Sequence, residues 1–161
     1  MTMTIPRASA IIGAARTLAA KLLLAVPIDR AALSEAMTES AGGNDAAGAW
    51  QQRDSFEALE VALSLAIPEL VGRMDVGAAI STLEALAREL PTHTVRSEDQ
   101  IQFQQFSTPP ALARLAVHLA RLSSDDVLFE PSAGTGIIAS LAKGAVKDLI
   151  LNELEPTRAD L

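Results

Sequence analysis

The fold is decided by residues 127–136, which read Val-Leu-Phe-Glu-Pro-Ser-Ala-Gly-Thr-Gly. The first three are apolar, and such a run is typical of a strand buried on both faces in a parallel sheet. The glycines predict a tight turn, and residues 137–143 are then expected to form a helix. A second apolar run at 149–151 predicts another strand, which ends in Asn152 and Glu153. Together these elements predict a right-handed βαβ unit.

Helices are predicted ahead of this unit. Apolar residues recur at helical spacing over about 11–26, 50–67 and 79–90, and a further helix is expected over 29–38 with Asp29 as its N-cap. The first of these helices is expected to end near Pro27. We therefore predict an α/β chain, in which a helical N-terminal region at 1–95 precedes the first βαβ unit of a Rossmann-like domain at 96–161. No chemistry is assigned to the helical region.

The segment between the two regions carries helix-start signals. Ser97 and Gln100 have the spacing of a capping box for a short helix. Thr108 can cap the next helix, and Pro109 can occupy its first turn. Leucines recur at helical spacing between 112 and 122, and they are expected to form the buried stripe of that helix.

Gly134 and Gly136 point to a nucleotide site. Gly134 permits the tight turn, and Gly136 lets the backbone approach a ligand without a Cβ in the way. Glu153 lies 17 residues beyond Gly136, at the end of the neighbouring strand, where its carboxylate could accept hydrogen bonds from both ribose hydroxyls. The glycines also nearly satisfy the dinucleotide fingerprint, so a nicotinamide-dependent oxidoreductase is a rival. A P-loop is excluded because no Lys-Ser/Thr pair follows them.

Composition narrows the function classes. The chain has 161 residues, enough for one ordinary domain, and its formal net charge of −7 argues against a basic nucleic-acid-binding surface. The absence of cysteine excludes disulfides and thiolate metal sites and fits a reducing cytoplasm. The apolar stretch at 11–26 is interrupted by Arg16 and Lys21, so it is not expected to span a membrane. We expect a soluble, cytoplasmic protein.

The residues before the glycines add a family resemblance. Residues 130–136, Glu-Pro-Ser-Ala-Gly-Thr-Gly, resemble the first cofactor motif of the amino-methyltransferases that modify adenine in DNA. Residues 105–109, Gln-Phe-Ser-Thr-Pro, resemble the segment of that family that closes over the methionine end of the cofactor. The resemblance implies S-adenosylmethionine as the cofactor and methylation of the exocyclic amine of adenine as the activity.

The resemblance also implies a set of cofactor contacts on the methyl-donor side of the site. Gly134 and Gly136 would contact the cofactor through their backbone. Each part of the cofactor would also have its own side chains: Glu130, with Pro131 beside it, for the methionine amine, Thr108 and Pro109 for the methionine carboxylate, Glu153 for the ribose, and Leu154 for the adenine. Structural alternatives remain for three of them. Glu130 could cap nearby backbone, Glu153 could be a solvated strand end, and Thr108 could be only a helix cap.

A second resemblance covers most of the chain. The helical region, the segment at 90–98 and the motifs above, in this order, resemble the start of bacterial strawberry notch-like proteins. In that family a methylase-like region precedes a helicase-like NTPase region. The resemblance implies that DNA is bound through other parts of such a protein.

The acceptor side of the methyltransferase site has no counterpart in the sequence. Amino-methyltransferases carry an Asn/Asp/Ser-Pro-Pro-aromatic motif that binds the flipped base, whereas the pair Pro109-Pro110 is followed by Ala111. We therefore expect a truncated chain without catalytic residues, which alone is inactive, binds S-adenosylmethionine weakly or not at all, and tends to aggregate. A non-catalytic methylase-like binding module is the alternative.

Overall fold

The computed structural model describes residues 5–92 and 107–161, which form a mixed α/β protein that is mostly helical. Four helices precede the undescribed residues, and a fifth helix, two strands and two short helices follow them. In chain order the elements are α1 (Arg7–Leu23), α2 (Arg30–Ala41), α3 (Gln52–Val71), α4 (Val76–Glu89), α5 (Pro110–Ala120), β1 (Val127–Glu130), α6 (Ile137–Ala142), β2 (Asp148–Leu151) and α7 (Pro156–Ala159).

The ends of the first helices follow from local signals. Asp29 is the N-cap of α2 as predicted, because its side chain accepts a hydrogen bond from the backbone N–H of Ala32. The expectation that α1 reaches Pro27 is wrong, since α1 ends at Leu23. Ala25 adopts a left-handed φ of 53°, and the N–H of Val26 reaches back to the carbonyl of Lys21. These are the features of a Schellman motif, which closes the helix before the proline.

Two hydrophobic clusters form the core. The first packs α1 and α2 against the N-terminal part of α3, and its buried residues are largely alanine, leucine and isoleucine. The second joins the two sides of the undescribed segment, because α3 and α4 meet α5 and α6 there. Its fully or nearly buried members are Ile67, Val71, Ala79, Leu83, Ala113 and Ile137. The residues on either side of the segment at 93–106 therefore share one core.

The βαβ unit is present, with β1 and β2 as parallel neighbours in a two-stranded sheet. Val127 pairs with Asp148, and Glu130 pairs with Leu151. The expectation that β1 is buried on both faces is wrong. Val127 and Phe129 are 53 % and 59 % exposed, whereas Leu128 and Glu130, which alternate with them along the strand, are half-buried. This alternation shows that one face of the strand is shielded and the other is open to solvent.

The helix after the undescribed segment also differs from its expected form. Pro109 occupies the N-cap position of α5 and Pro110 the first helical position, and the cap has no side-chain hydrogen bond. Thr108 is therefore not the cap, because the helix begins one residue later than its spacing suggested. Leu112 and Leu119 are exposed, and Ala113 is the buried contact of α5. The predicted capping box at Ser97 and Gln100, and the predicted boundary at 95, lie outside the described residues.

Candidate functional site

The turn after β1 has the backbone that its glycines predict. Gly134 and Gly136 have φ values of 56° and 79°, where an L-residue would cost about 1–2 kcal/mol. The turn is attached to the end of β2, because Ala133 N–H donates to the carbonyl of Asn152 over 2.9 Å. The side-chain amide of Asn152 in turn donates to the carbonyl of Pro131 over 2.9 Å. This turn, residues 131–136, is called the glycine loop below.

Glu153 holds the glycine loop against the end of β2. Its carboxylate accepts backbone N–H bonds from Gly134 over 2.8 Å and from Leu154 and Glu155 over 3.0 Å each. The structure thus brings Glu153 into direct contact with Gly134, while their convergence on one adenosine stays a prediction. A carboxylate has about four acceptor sites, so three are in use. A ribose hydroxyl could take the remaining one, and a second would compete with Gly134, so the ribose role stays a prediction.

A pocket of about 470 Å³ lies beside this contact. It is lined by the glycine loop together with the start of α6, the end of β2 and α7, and its volume falls in the range of ligand-binding pockets. A Cβ built on Gly136 would meet no atom within 4 Å, so the backbone there is open to a ligand. Lys143, Glu153 and Arg158 also line the pocket, which gives it both signs of charge. Leu154, predicted to flank the adenine, is 74 % exposed and does not line it.

A smaller pocket of about 120 Å³ has Thr135 in its lining, as the larger pocket does. Thr108 and Pro109, predicted from the family resemblance, line it together with Ser107 and Glu60. Thr135 therefore lines both pockets. The structure therefore brings the predicted segment next to the glycine loop. Gln105 and Phe106 lie outside the described residues.

Glu130 lies at the end of β1 and faces α6. Its carboxylate accepts a hydrogen bond from the backbone N–H of Ala139, in the first turn of that helix. The capping contact weighed as an alternative is therefore present. Among the described residues the second carboxylate oxygen, Oε2, is buried without a hydrogen-bond partner. Burial raises the pKa of Glu130, and the bond from Ala139 lowers it by less. The contact of Glu130 with a methionine amine stays a prediction.

A charged network that includes residues of α3 was not predicted from the sequence, which indicated no functional residue on that helix. Arg158 on α7 is 5 % exposed, and its Nε donates to Oε1 of Glu57 over 3.3 Å. Its Nη2 lies 3.5 Å from Oε2 of Glu60, and the Thr135 hydroxyl lies 3.5 Å from the same oxygen. The network therefore joins the helical region to the glycine loop. Its sequence signal is two glutamates three positions apart within an apolar helix, a spacing that places them on one helix face.

Burial dominates the electrostatics of the two glutamates. Desolvation raises the pKa of Glu57, although the charges of Arg158, Arg53 and Arg7 lower it in part. Desolvation also raises the pKa of Glu60, against the hydrogen bond from Ser107, the charge of Arg158 and the hydrogen bond from Thr135. In the folded chain the nearby positive charges and hydrogen bonds therefore do not fully offset the cost of burying these two carboxylates.

We expect these pKa shifts to make the folded chain less stable as the pH rises above about 4.5, the ordinary glutamate value. With raised pKa values in the folded state, Glu57 and Glu60 hold protons that the unfolded chain has already released, so the free energy of unfolding falls through that window. Urea unfolding followed by Trp50 fluorescence between pH 4.5 and neutral pH measures the slope. Glu57→Gln/Glu60→Gln should flatten it, and the exposed control Glu84→Gln should not. A stability that rises throughout this range would contradict the expectation.

The fold and the site together define a mixed α/β chain with a glycine loop between two parallel strands and a carboxylate at the end of the second strand. No protein-family model, curated protein or solved structure matches the chain. Across residues 5–92 and 107–161, no helix has the length and apolar character needed to cross a membrane. In the same residues no group of three or more His, Asp or Glu side chains is arranged to hold a metal ion.

Proposed function

We propose that this chain binds S-adenosylmethionine and forms the cofactor-binding portion of a cytoplasmic DNA adenine-N6 methyltransferase. The observation that supports the cofactor is the hydrogen bond from the Gly134 N–H to the Glu153 carboxylate, because both residues line the larger pocket. It brings a ribose-binding group and an open backbone turn to one place. When bound, the cofactor supplies an electrophilic methyl group on a sulfonium.

The carboxylate in the smaller pocket favours this cofactor over a nicotinamide dinucleotide. Glu60 is the charged residue that lines the smaller pocket, next to Thr135. A dinucleotide brings a diphosphate to the glycine loop, and a carboxylate beside the loop repels that anion. S-adenosylmethionine instead carries a sulfonium and an ammonium group, which the same carboxylate attracts. The smaller pocket therefore fits the cationic end of S-adenosylmethionine, whereas the larger pocket carries charges of both signs.

The proposal that adenine in DNA accepts the methyl group rests on the family resemblance of residues 105–109 and 130–136. In the proposed protein the adenine and the DNA are bound by other parts, in association with a helicase-like NTPase. The described residues contribute the donor half, through the glycine loop, Glu153 and the segment at Thr108 and Pro109.

We expect S-adenosylhomocysteine, the stable demethylated cofactor, to bind the chain weakly and saturably, with a Kd on the order of 1 mM. Titration of a ¹⁵N-labelled chain should shift the amide resonances of Gly134, Gly136 and Glu153. NADH at the same concentrations should leave them in place. Shifts with NADH and none with S-adenosylhomocysteine would point to an oxidoreductase instead, and a folded chain that responds to neither ligand would contradict cofactor binding.

Two glycines offer a matched pair of variants for this titration. Gly136 and Gly48 have φ values of 79° and 74°, and a Cβ built on either meets no atom within 4 Å. Gly136→Ala and Gly48→Ala should therefore carry similar backbone strain. Only Gly136→Ala places a methyl group in the glycine loop, so only this variant should weaken S-adenosylhomocysteine binding. Equal losses in the two variants would show that strain, and not contact with the ligand, explains the effect.

A further inference from the structure

The smaller pocket has the size and lining of a site for a compact polar group. Its volume is about 120 Å³, and its polar lining comes from the side chains of Glu60, Ser107, Thr108 and Thr135. Its apolar lining comes from Leu63, Ile137 and the two prolines. Thr135 lines both pockets, and the proposal below requires a ligand whose nucleoside occupies the larger pocket and whose other end reaches the smaller one.

Glu60 retains acceptor capacity in this pocket. Its side chain is 27 % exposed, so it is reachable from the pocket. It accepts a hydrogen bond from Ser107, and its contacts with Thr135 and Arg158 are both 3.5 Å long, at the outer limit of hydrogen bonding. Arg158 is also shared with Glu57, to which it is closer at 3.3 Å. A partly buried carboxylate with long, shared contacts is stabilised by any further cationic donor that reaches it.

The chemistry of that donor follows from the pocket. Among the described lining residues Glu60 is the charged one, so the pocket favours a cation and disfavours a phosphate. An ammonium group is a compact point charge with three donors, which suits one carboxylate and neighbouring hydroxyl oxygens. A nucleoside ligand with an aliphatic ammonium group on its 5′ side would fill both pockets and satisfy both glutamates, Glu153 and Glu60.

We propose that Glu60 is a binding residue for the α-ammonium group of the cofactor, supplied by the helical region to the site at the glycine loop. It takes the place of Glu130, to which the family resemblance assigned this group and which lines neither pocket. The inference rests on the proposed function, since it requires an adenosine ligand in the larger pocket. It assigns a ligand contact to α3, so the helical region forms part of the cofactor site.

A pair of ligands separates this inference from the proposed function. S-adenosylhomocysteine carries the ammonium group, whereas 5′-methylthioadenosine has the same nucleoside and thioether without the amino-acid end. Both should shift the amide resonances of Gly134 and Glu153, and only S-adenosylhomocysteine should shift those of Glu60 and Ser107. Loss of a charge-assisted contact predicts about tenfold or weaker binding of 5′-methylthioadenosine.

Variants on one helix complete the test. Glu60→Gln should weaken S-adenosylhomocysteine binding about tenfold and leave 5′-methylthioadenosine binding unchanged. Glu69→Gln, at an exposed position of α3, should change neither. If both ligands bind equally tightly and Glu60→Gln affects neither, the Glu60 assignment is overturned while cofactor binding stands. If the folded chain binds neither ligand, both proposals are overturned. Thermal melts of the variants identify any loss of binding that comes from unfolding.

Discussion

Replacing Arg158 with methionine should lower the free energy of unfolding by about 3–5 kcal/mol at neutral pH, because it removes a cation that pairs with both the buried carboxylate of Glu57 and the partly buried carboxylate of Glu60. The Arg158 side chain is 4 % exposed and pairs with both Glu57 and Glu60, and the 2 % exposure of Glu57 leaves little room for solvent to replace it there. It also lies under the glycine loop, with Nη1 3.8 Å from the position of a Cβ built on Gly134. The loss should shrink in mild acid, where the two carboxyl groups can take up protons. Urea unfolding at both pH values measures it.

The control for this prediction is an arginine that is paired and exposed. Arg88 lies 3.6 Å from Glu84 on α4, and the two side chains are 77 % and 54 % exposed. Arg88→Met should change the unfolding free energy by no more than about 0.5 kcal/mol. Adding Glu57→Leu to Arg158→Met should recover part of the loss, because it removes one of the uncompensated charges. Similar effects of Arg158→Met and Arg88→Met would show that the buried network contributes no more than a surface pair.

The parts of the fold that are determined by residues close together in the sequence could be predicted. The glycines at 134 and 136 require positive φ values, and the apolar runs on either side of them specify strands, so the βαβ unit followed from local signals. Asp29 was predictable as a cap for the same reason, since its partner is three residues away. The proximity of Glu153 and Gly134 also followed, because the carboxyl ends of adjacent parallel strands meet at one edge of a sheet, whereas the hydrogen bond between them was not predicted.

Features that depend on packing between distant segments were not predictable. Glu60 and Arg158 are 98 positions apart, and they meet only because α3 packs beside the βαβ unit. The exposure of Phe129 was mispredicted because an apolar run specifies a strand but not the number of layers that cover it. Leu112 and Leu119 were mispredicted for a related reason. The leucine spacing defines one face of α5, whereas the contact with the core is made by Ala113, which allows close approach.

The shared core leads to the second large effect. Ile67 on α3 is fully buried, and it packs in the cluster that also contains Leu83, Ala113 and Ile137. Ile67→Ala should lower the free energy of unfolding by about 2–5 kcal/mol, the range for deleting a large buried aliphatic side chain. Because the cluster includes residues on both sides of the segment at 93–106, the helical region and the βαβ unit should lose stability together. Urea unfolding with two probes tests this, namely Trp50 fluorescence and amide hydrogen exchange in α6.

Leu65 provides the matched control on the same helix, because its side chain is 52 % exposed. Leu65→Ala should change the unfolding free energy by about 0.5 kcal/mol. In Ile67→Ala the free energy of unfolding reported by the two probes should fall by the same amount, since a cooperative core unfolds as one unit. A shift in Trp50 fluorescence with unchanged exchange in α6 would show two independent units, with the glycine loop stable without α3. In that case Glu60 would be held beside the loop by a loose contact, too weakly fixed to contribute to ligand binding.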